Sequence, residues 1–321
     1  MREYDLITSI LGNFSRSEKQ KNDAFACDAE IVSIGGADWG ITMDEFSPEE
    51  DMFGEMEAFA IGRNLATAVL SDLFACGAKP EFFMHSLVIG ENTETDFIDE
   101  MVKGVSSVLD SANCFLLGGD IGRGQNWRYT GMAMGPVCGE RYLSRVLPGK
   151  EQALWVTGCL GDANLAAFTG KAGPLFELRL EEAQFICGNA TGCIDTSGGF
   201  VDSVWLLKTL NKDLRFEIDA ASLPFADGII DFCKANALPP EAFLFGGAGE
   251  YELLFTTGID AKPEIEATRV GSVCPSDEPG LFFDAGGHMV EMGQLPVCAR
   301  ETADRNEYIQ RILKQVNDVF G

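Results

Sequence analysis

The stretch Leu70–Pro80, LSDLFACGAKP, ends an apolar segment rich in small residues that begins near Met56. The helical spacing of apolar residues from Met56 to Cys76 predicts a long helix. Gly77 and Pro80 then form a typical C-terminal stop, because neither residue continues a helix well. Asp72 closes the apolar run within this segment and is the first candidate site residue.

Strand and helix patterns continue on both sides of this segment. Before residue 147 the other predicted elements are an N-terminal amphipathic helix at 4–14, strands at 29–34, 39–46, 81–90, 114–119 and 128–139, and a helix at 95–112 that starts at a threonine cap. A polar Pro-Gly segment at 146–152 then predicts a domain boundary, which divides the chain into 1–147 and 148–321. Because the second part again mixes strands and helices, the predicted fold class is α/β (α+β) with two domains of similar size.

Composition excludes several kinds of protein. The chain of 321 residues has 50 acidic and 24 basic side chains, a net charge of −26. Nucleic acids and anionic membranes bind basic surfaces, so neither is an expected partner. The sequence lacks an apolar run of membrane-spanning length and a signal-peptide pattern at its N-terminus, so we expect a cytoplasmic protein. Its ten cysteines are scattered without zinc-site spacing, which favours free thiols.

Four aspartates lie beside predicted strand or helix ends: Asp28, Asp44, Asp72 and Asp120. Carboxylates that meet from separate elements repel one another unless cations lie between them, and Mg2+ prefers such oxygen ligands. Spacing alone does not show that they meet, and each could instead cap a helix or face solvent. The glycines of LLGGDIGRG (116–124) would let backbone N–H groups approach a phosphate. The patterns of P-loop NTPases and of Rossmann dinucleotide sites are missing.

Four motifs occur in one order along the chain: LSDLFACGAKP (70–80), LLGGDIGRG (116–124), WVTGCLGD (155–162) and GEYELLF (249–255). In this order the chain resembles thiamine-monophosphate kinase, of the aminoimidazole ribonucleotide synthetase (PurM-like) superfamily. The resemblance implies a two-domain PurM-like fold, with an N-terminal α/β domain that forms a homodimer through its sheet and a C-terminal α/β domain. It also implies transfer of a phosphoryl group from ATP, with several Mg2+ ions, to the phosphate of a small acceptor such as thiamine monophosphate.

The resemblance also assigns residues, because matching motif positions have known roles in that family. It implies metal ligands at Asp28, Thr42, Asp44, Asp72, Asp120 and Asp195. Nucleotide contacts are implied at Gly119, Asp120, Arg145 and Ser197; for Arg145 the alternative is a surface residue near the domain junction. Arg123 is a weaker candidate for a phosphate contact. No general base is needed, since the nucleophile is already a phosphate oxygen.

The chain departs from the family pattern at chemically important positions. Cys27, Gly198 and Gly249 occupy positions where the family has carboxylates. Glu250 could replace the last of these, and Glu49, Glu50 and Asp51 occupy the segment of a substrate-contacting histidine. Three interpretations therefore remain open: a kinase with a changed acceptor, a weakly active thiamine-phosphate kinase, or a nucleotide-binding or regulatory homologue without catalysis.

Overall fold

The computed structural model describes residues 3–49, 51, 56–294, 296–297, 302 and 304–321, with side chains described from residue 6 onward. The helices are α1 (Glu3–Leu11), α2 (Ala58–Ala75), α3 (Thr95–Ala112), α4 (Asp162–Thr169), α5 (Leu180–Asn189), α6 (Phe200–Leu210), α7 (Ile229–Asn236) and α8 (Arg305–Phe320). The strands are β1 (Glu30–Ile34), β2 (Ala37–Phe46), β3 (Phe82–Gly90), β4 (Phe115–Gly124), β5 (Arg128–Pro136), β6 (Gln152–Thr157), β7 (Gly192–Asp195), β8 (Leu214–Asp219), β9 (Leu253–Gly258), β10 (Ala267–Pro275), β11 (Gly280–Asp284) and β12 (Met289–Glu291). Two short 3-10 helices lie at Ala220–Ser222 and Pro240–Phe243.

The first part of the chain forms a five-stranded sheet in the order β1-β2-β5-β3-β4. Only the β3–β4 pair is parallel; the other three pairs are antiparallel. The inward residues of these strands, such as Phe83 and Ala133, are fully buried. The opposite face is open, because large apolar side chains such as Met43 and Met84 are 64% and 40% exposed there.

Helix α2 is the central helix of the molecule. It contacts β2 and β5 of the first sheet, α3 beside it, and β7, β9 and α5 of the second part. A helix that contacts neighbours on all sides must be apolar or small all around, as the predicted segment is. The prediction of a long helix from about Met56 to Cys76 is confirmed: the helix runs from Ala58 to Ala75, and Cys76 is its C-terminal cap.

The second part forms a seven-stranded sheet in the order β12-β11-β8-β10-β6-β9-β7. Its β7–β9 end packs against α2, so residues such as Ile186, Cys193 and Phe255 belong to the core of the first part. A second hydrophobic core includes the buried residues of α6 and α8. The last strand of the first sheet ends at Pro136, and the first strand of the second sheet begins at Gln152. The domain boundary at 147/148 remains a prediction. The mixed α/β fold class is confirmed.

Two details differ from the predictions. LLGGDIGRG is part of the long strand β4, and this strand is mostly exposed, whereas we predicted a short buried strand followed by a phosphate loop. Its exposure follows from its position at the sheet edge, where β3 is its one neighbour. Thr95 does not cap α3; the cap position is Glu94, which makes no side-chain capping bond. Glu50 lies outside the described residues. No described helix combines the length and apolar character needed to cross a bilayer.

The α2–α3 contact depends on two glycines and gives a stability prediction. A Cβ atom at Gly62 would lie 1.8 Å from the carbonyl oxygen of Met101, and one at Gly104 would lie 2.1 Å from that of Phe59. We therefore expect Gly62→Ala to separate the helices and to lower the free energy of unfolding by about 1–3 kcal/mol in urea titrations. Gly188→Ala is the matched control: Gly188 is also helical, nothing lies within 4 Å of its Cβ position, and alanine favours helix. Equal effects would contradict close packing at Gly62.

Candidate active site

Three carboxylates converge where the two parts of the chain meet. Asp28 precedes β1, Asp72 lies near the end of α2, and Asp195 ends β7. One oxygen from each lies within 4.8 Å of the others. Because α2 contacts both sheets, it brings the first two carboxylates to the third. The sequence named all three residues but could not show that they meet.

Arg145 provides the positive charge in this cluster. Its guanidinium donates to both oxygens of Asp28, from Nη2 at 2.5 Å and from Nε at 3.1 Å. Both side chains are largely buried, with 14% of Arg145 and 1% of Asp28 exposed. Arg145 is therefore part of the candidate cluster and not a surface residue, while its contact with a nucleotide remains a prediction.

Hydroxyl groups surround the other two carboxylates. Thr42 Oγ1 donates to Asp72 Oδ2 at 2.5 Å. Ser197 Oγ donates to Asp195 Oδ1 at 2.8 Å, and Ser71 Oγ lies 2.6 Å from Asp195 Oδ2. Thr42 and Ser197 were predicted site residues. Ser71 was missed, although its position directly before Asp72 was a usable signal.

Burial and mutual repulsion raise the pKa values of these carboxyl groups. Burial raises the pKa of Asp28 to about 6, while Arg145 opposes the shift and Asp195 adds to it. The pKa of Asp72 is raised well above its usual value by burial and by the charges of Asp44, Asp195 and Asp28. A cluster that disfavours its own negative charge favours a bound cation.

Asp44, Asp51 and Tyr251 form the next layer of the site. Burial, followed by the charges of Asp44, Asp195, Asp51 and Asp72, raises the pKa of the Tyr251 phenol well above its usual value. These carboxylates therefore lie within electrostatic reach of the phenol. Asp51 also closes a short turn, since its carboxylate accepts the Ser47 N–H at 2.8 Å.

Asp120 and Gly119 do not join this cluster within one chain. Strand pairing puts Asp44, Gly131, His85 and Gly119 in one row across the sheet, and Glu45, Thr130, Ser86 and Asp120 in the next. Neighbouring rows point to opposite faces, so Asp120 lies on the open face. Three strand spacings of about 4.8 Å also separate β4 from β2, roughly 14 Å. Arg123 is exposed on the same edge strand.

The structure shows what surrounds the positions at which the chain departs from the family pattern. The Cys27 thiol is buried, donates to the Leu143 carbonyl, and has its pKa raised to about 12, mainly by burial, so it does not offer a thiolate. A Cβ at Gly249 would lie 1.6 Å from the carbonyl oxygen of Thr196, so no side chain fits there. Glu250 does not fill that place: it is buried and accepts the N–H groups of Gly161 and Ala163 at the start of α4. Its substrate role remains a prediction, and burial raises its pKa to about 8.

At Gly198, a neighbouring carboxylate lies close to the position of the missing side chain. A Cβ built at Gly198 would lie 2.6 Å from Oδ2 of Asp202. The Asp202 carboxylate, in the first turn of α6, therefore lies where a side chain at position 198 would begin. Asp202 was not among the predicted site residues. An acidic residue three positions after Gly199, at a predicted helix start, was the available signal.

Comparisons with known proteins agree with this architecture. The domain family described as AIR synthase related protein, N-terminal domain, matches residues 26–137. Thiamine-monophosphate kinase from Archaeoglobus fulgidus is 25% identical over 304 residues, covering 91% of this chain and 96% of the relative. The enzyme of the same name from Pyrococcus horikoshii is 25% identical over 322 residues, covering 96% and 98%.

Solved structures share the fold. The structure titled AaThiL complexed with AMPPCP and TMP matches with a TM-score of 0.77 at 22% identity, covering 91% of this chain and 97% of that one. The HypE–HypF complex matches with a TM-score of 0.73 at 15% identity, covering 90% and 99%. At these identities the matches show the fold.

The chain therefore contains an AIR synthase-related N-terminal domain at residues 26–137, and its two sheets with the helix between them have the fold of the solved relatives. Over most of its length the chain is similar to the thiamine-monophosphate kinases, at 25–26% identity. The predicted resemblance is confirmed.

The electrostatics of the cluster predict a stabilising substitution. Unfolded Asp72 ionises near pH 4, whereas folded Asp72 keeps its proton to a higher pH, so the metal-free protein loses stability as pH rises between those values. We expect Asp72→Asn to raise the free energy of unfolding at pH 8 by about 1–2 kcal/mol in EDTA, with the difference vanishing near pH 4. Urea titrations at both pH values measure this. Exposed Asp260→Asn is the control. A destabilised Asp72→Asn at pH 8 would contradict repulsion within the cluster.

Proposed function

We propose that this chain is an ATP- and Mg2+-dependent phosphotransferase whose acceptor carries a phosphate group. The observation that carries the proposal is the convergence of Asp28, Asp72 and Asp195 from both parts of the chain beside Arg145. The relatives named thiamine-monophosphate kinase support the same reaction class.

The donor set fits Mg2+. Asp28, Asp72, Asp195 and Thr42 offer hard oxygen ligands, which Mg2+ prefers, and no histidine or thiolate joins the cluster among the described residues. We propose that Asp44 and Asp202 complete the set. Bound there, Mg2+ would neutralise phosphate charge during transfer.

The side chains of the chain position the reactants. Asp28 holds Arg145 at the cluster through Nε and Nη2, and the remaining N–H groups of the guanidinium can donate to a phosphate. Ser197 is exposed beside Asp195 and can donate to a phosphate oxygen. Thr42 and Ser71 fix the orientations of Asp72 and Asp195, so the carboxylates are ordered before a ligand arrives. Positioning and charge neutralisation are sufficient for such a transfer.

The choice of acceptor depends on the residues that face it. One relative structure carries AMPPCP and TMP in its title, so thiamine monophosphate is the first acceptor to test. The segment that would contact it differs from the family here: Asp51 is committed to a turn with Ser47, and Glu250 caps α4. These commitments favour a changed acceptor over a changed donor.

We further propose that the chain acts as a homodimer through the open face of its first sheet. Large apolar side chains are exposed on this face: Ile34, Met43, Met84 and Phe115. Such a patch is typical of a protein interface. Asp120 lies on this same face, at the proposed interface, and we propose that Asp120 of the partner subunit takes part in the site.

Magnesium-dependent nucleotide binding tests the core of the proposal. We expect AMPPCP to bind in calorimetry with Mg2+ and not with EDTA, because the carboxylates cannot approach a triphosphate without cations. Asp72→Asn should weaken this binding at least tenfold, and Asp202→Asn several-fold, whereas Asp260→Asn should not change it. With ATP and thiamine monophosphate, formation of thiamine diphosphate supports the kinase. ADP release without it indicates another acceptor.

Two results would count against transfer. Binding of AMPPCP with no turnover of any phosphorylated acceptor would favour the catalytically impaired, nucleotide-binding or regulatory homologue. Binding that is equal with and without Mg2+ would remove the metal site from the proposal.

Mixed dimers test the role of Asp120. A heterodimer of Asp120→Asn and Asp72→Asn subunits, purified through two different tags, has one fully intact site if each site combines Asp72 with Asp120 of the partner subunit. We expect about half of the wild-type AMPPCP binding capacity, since one of two sites is intact. The Asp28→Asn and Asp72→Asn heterodimer is the control and should not recover, because these two residues act in one chain. No recovery in the first pair would contradict a shared site.

A further inference from the structure

Tyr251 has a backbone conformation that bulky residues rarely adopt. Its φ is 58°, in the left-handed region. For a large side chain this conformation is unfavourable and persists only where the surrounding structure imposes it. Such residues often lie at functional sites, so the contacts that hold Tyr251 are informative.

Both neighbours of Tyr251 are fastened inside the second part of the chain. The Glu250 carboxylate accepts the Gly161 N–H at 2.9 Å and the Ala163 N–H at 3.1 Å. The Glu252 carboxylate accepts Arg179 Nη2 at 2.6 Å, Arg179 Nε at 2.7 Å and Thr157 Oγ1 at 2.5 Å. These two anchors account for the strained backbone between them.

The Tyr251 ring packs against Phe176, a residue that α2 holds in place. Its centroid lies 4.8 Å from that of Phe176. Phe176 is held in turn by α2, because its N–H donates to Asn64 Oδ1 at 2.8 Å. The helix that carries Asp72 therefore also sets the position of the tyrosine.

The segment that carries Tyr251 runs beside Asp195, since the Glu252 N–H donates to Thr196 Oγ1 at 2.9 Å and Leu253 pairs with Asp195 between β9 and β7. The Tyr251 hydroxyl has no hydrogen-bond partner among the described residues, and the nearby carboxylates, Asp195 among them, act on it electrostatically. Carboxylates supply only acceptors, and a phosphate group also supplies only acceptors. A phosphate bound here therefore needs donors besides Arg145 and Ser197, and the phenol is one.

We propose that the Tyr251 hydroxyl donates a hydrogen bond to a phosphate oxygen of the nucleotide held at the acidic cluster. This inference rests on the proposed function. It assigns Tyr251 as a ligand-binding residue of the site, held in place by the Glu250 and Glu252 anchors and by Phe176.

Tyr251→Phe tests this directly, because phenylalanine keeps the ring contact with Phe176 and removes only the hydroxyl. We expect AMPPCP with Mg2+ to bind at least tenfold more weakly in calorimetry, as is usual for a lost hydrogen bond to a charged group. Tyr142→Phe is the control, since the Tyr142 hydroxyl bonds the Lys21 carbonyl at 3.1 Å. If Tyr251→Phe binds AMPPCP within twofold of wild type, the inference is wrong.

Terbium luminescence separates this inference from the proposed function. Tb3+ binds carboxylate sites and emits when a nearby tyrosine is excited. We expect sensitised emission from the wild type and from Tyr142→Phe, and loss of most of it in Tyr251→Phe, with Tb3+ affinity unchanged in Mg2+ competition. Emission retained in Tyr251→Phe would overturn the placement of the phenol at the cluster. A wild type that gives emission but binds no AMPPCP would overturn the nucleotide function and this hydrogen bond, while leaving Tyr251 beside a metal site.

Discussion

The structure depends on bringing three carboxylates together at the contact between its two parts. Asp28, Asp72 and Asp195 would repel one another, and the Asp28–Arg145 pair with its surrounding hydroxyls makes their proximity tolerable. Helix α2 makes it possible, because it packs on the first sheet and on the β7–β9 end of the second. Its small, apolar sequence serves this packing, and the Gly62 and Gly104 contacts bring α3 close behind it. Asp72 therefore lowers the stability of the metal-free fold while it serves the proposed metal site.

Much of this could be predicted from the sequence, and the limit has a physical cause. Periodicity located nearly every helix and strand, and motif order identified the superfamily. The metal candidates Asp28, Asp72 and Asp195 meet as such a site requires. The sequence does not give the register between strands, so Asp120 was grouped with residues that lie on the opposite face of the sheet. Likewise, Glu250 was adjacent to the motif position but points to the start of α4.

The residues that were missed share one property: their roles arise from three-dimensional placement. Asp202 matters because its carboxylate lies beside Gly198, and Tyr251 because two anchored neighbours impose its backbone angle. Neither fact is visible in residue type. The comparisons supply the fold and a reaction class, and the geometry of these side chains then indicates which features this chain has kept and which it has changed.

The close approach at Gly249 also has a historical consequence. Since a Cβ there would meet the Thr196 carbonyl at 1.6 Å, a single mutation could not restore the family's glutamate without moving the backbone that carries Asp195. At position 198 the obstacle is smaller, because Oδ2 of Asp202 is the end of an exposed side chain that can move. The backbone itself therefore opposes reversal at position 249, whereas position 198 stays open to a side chain.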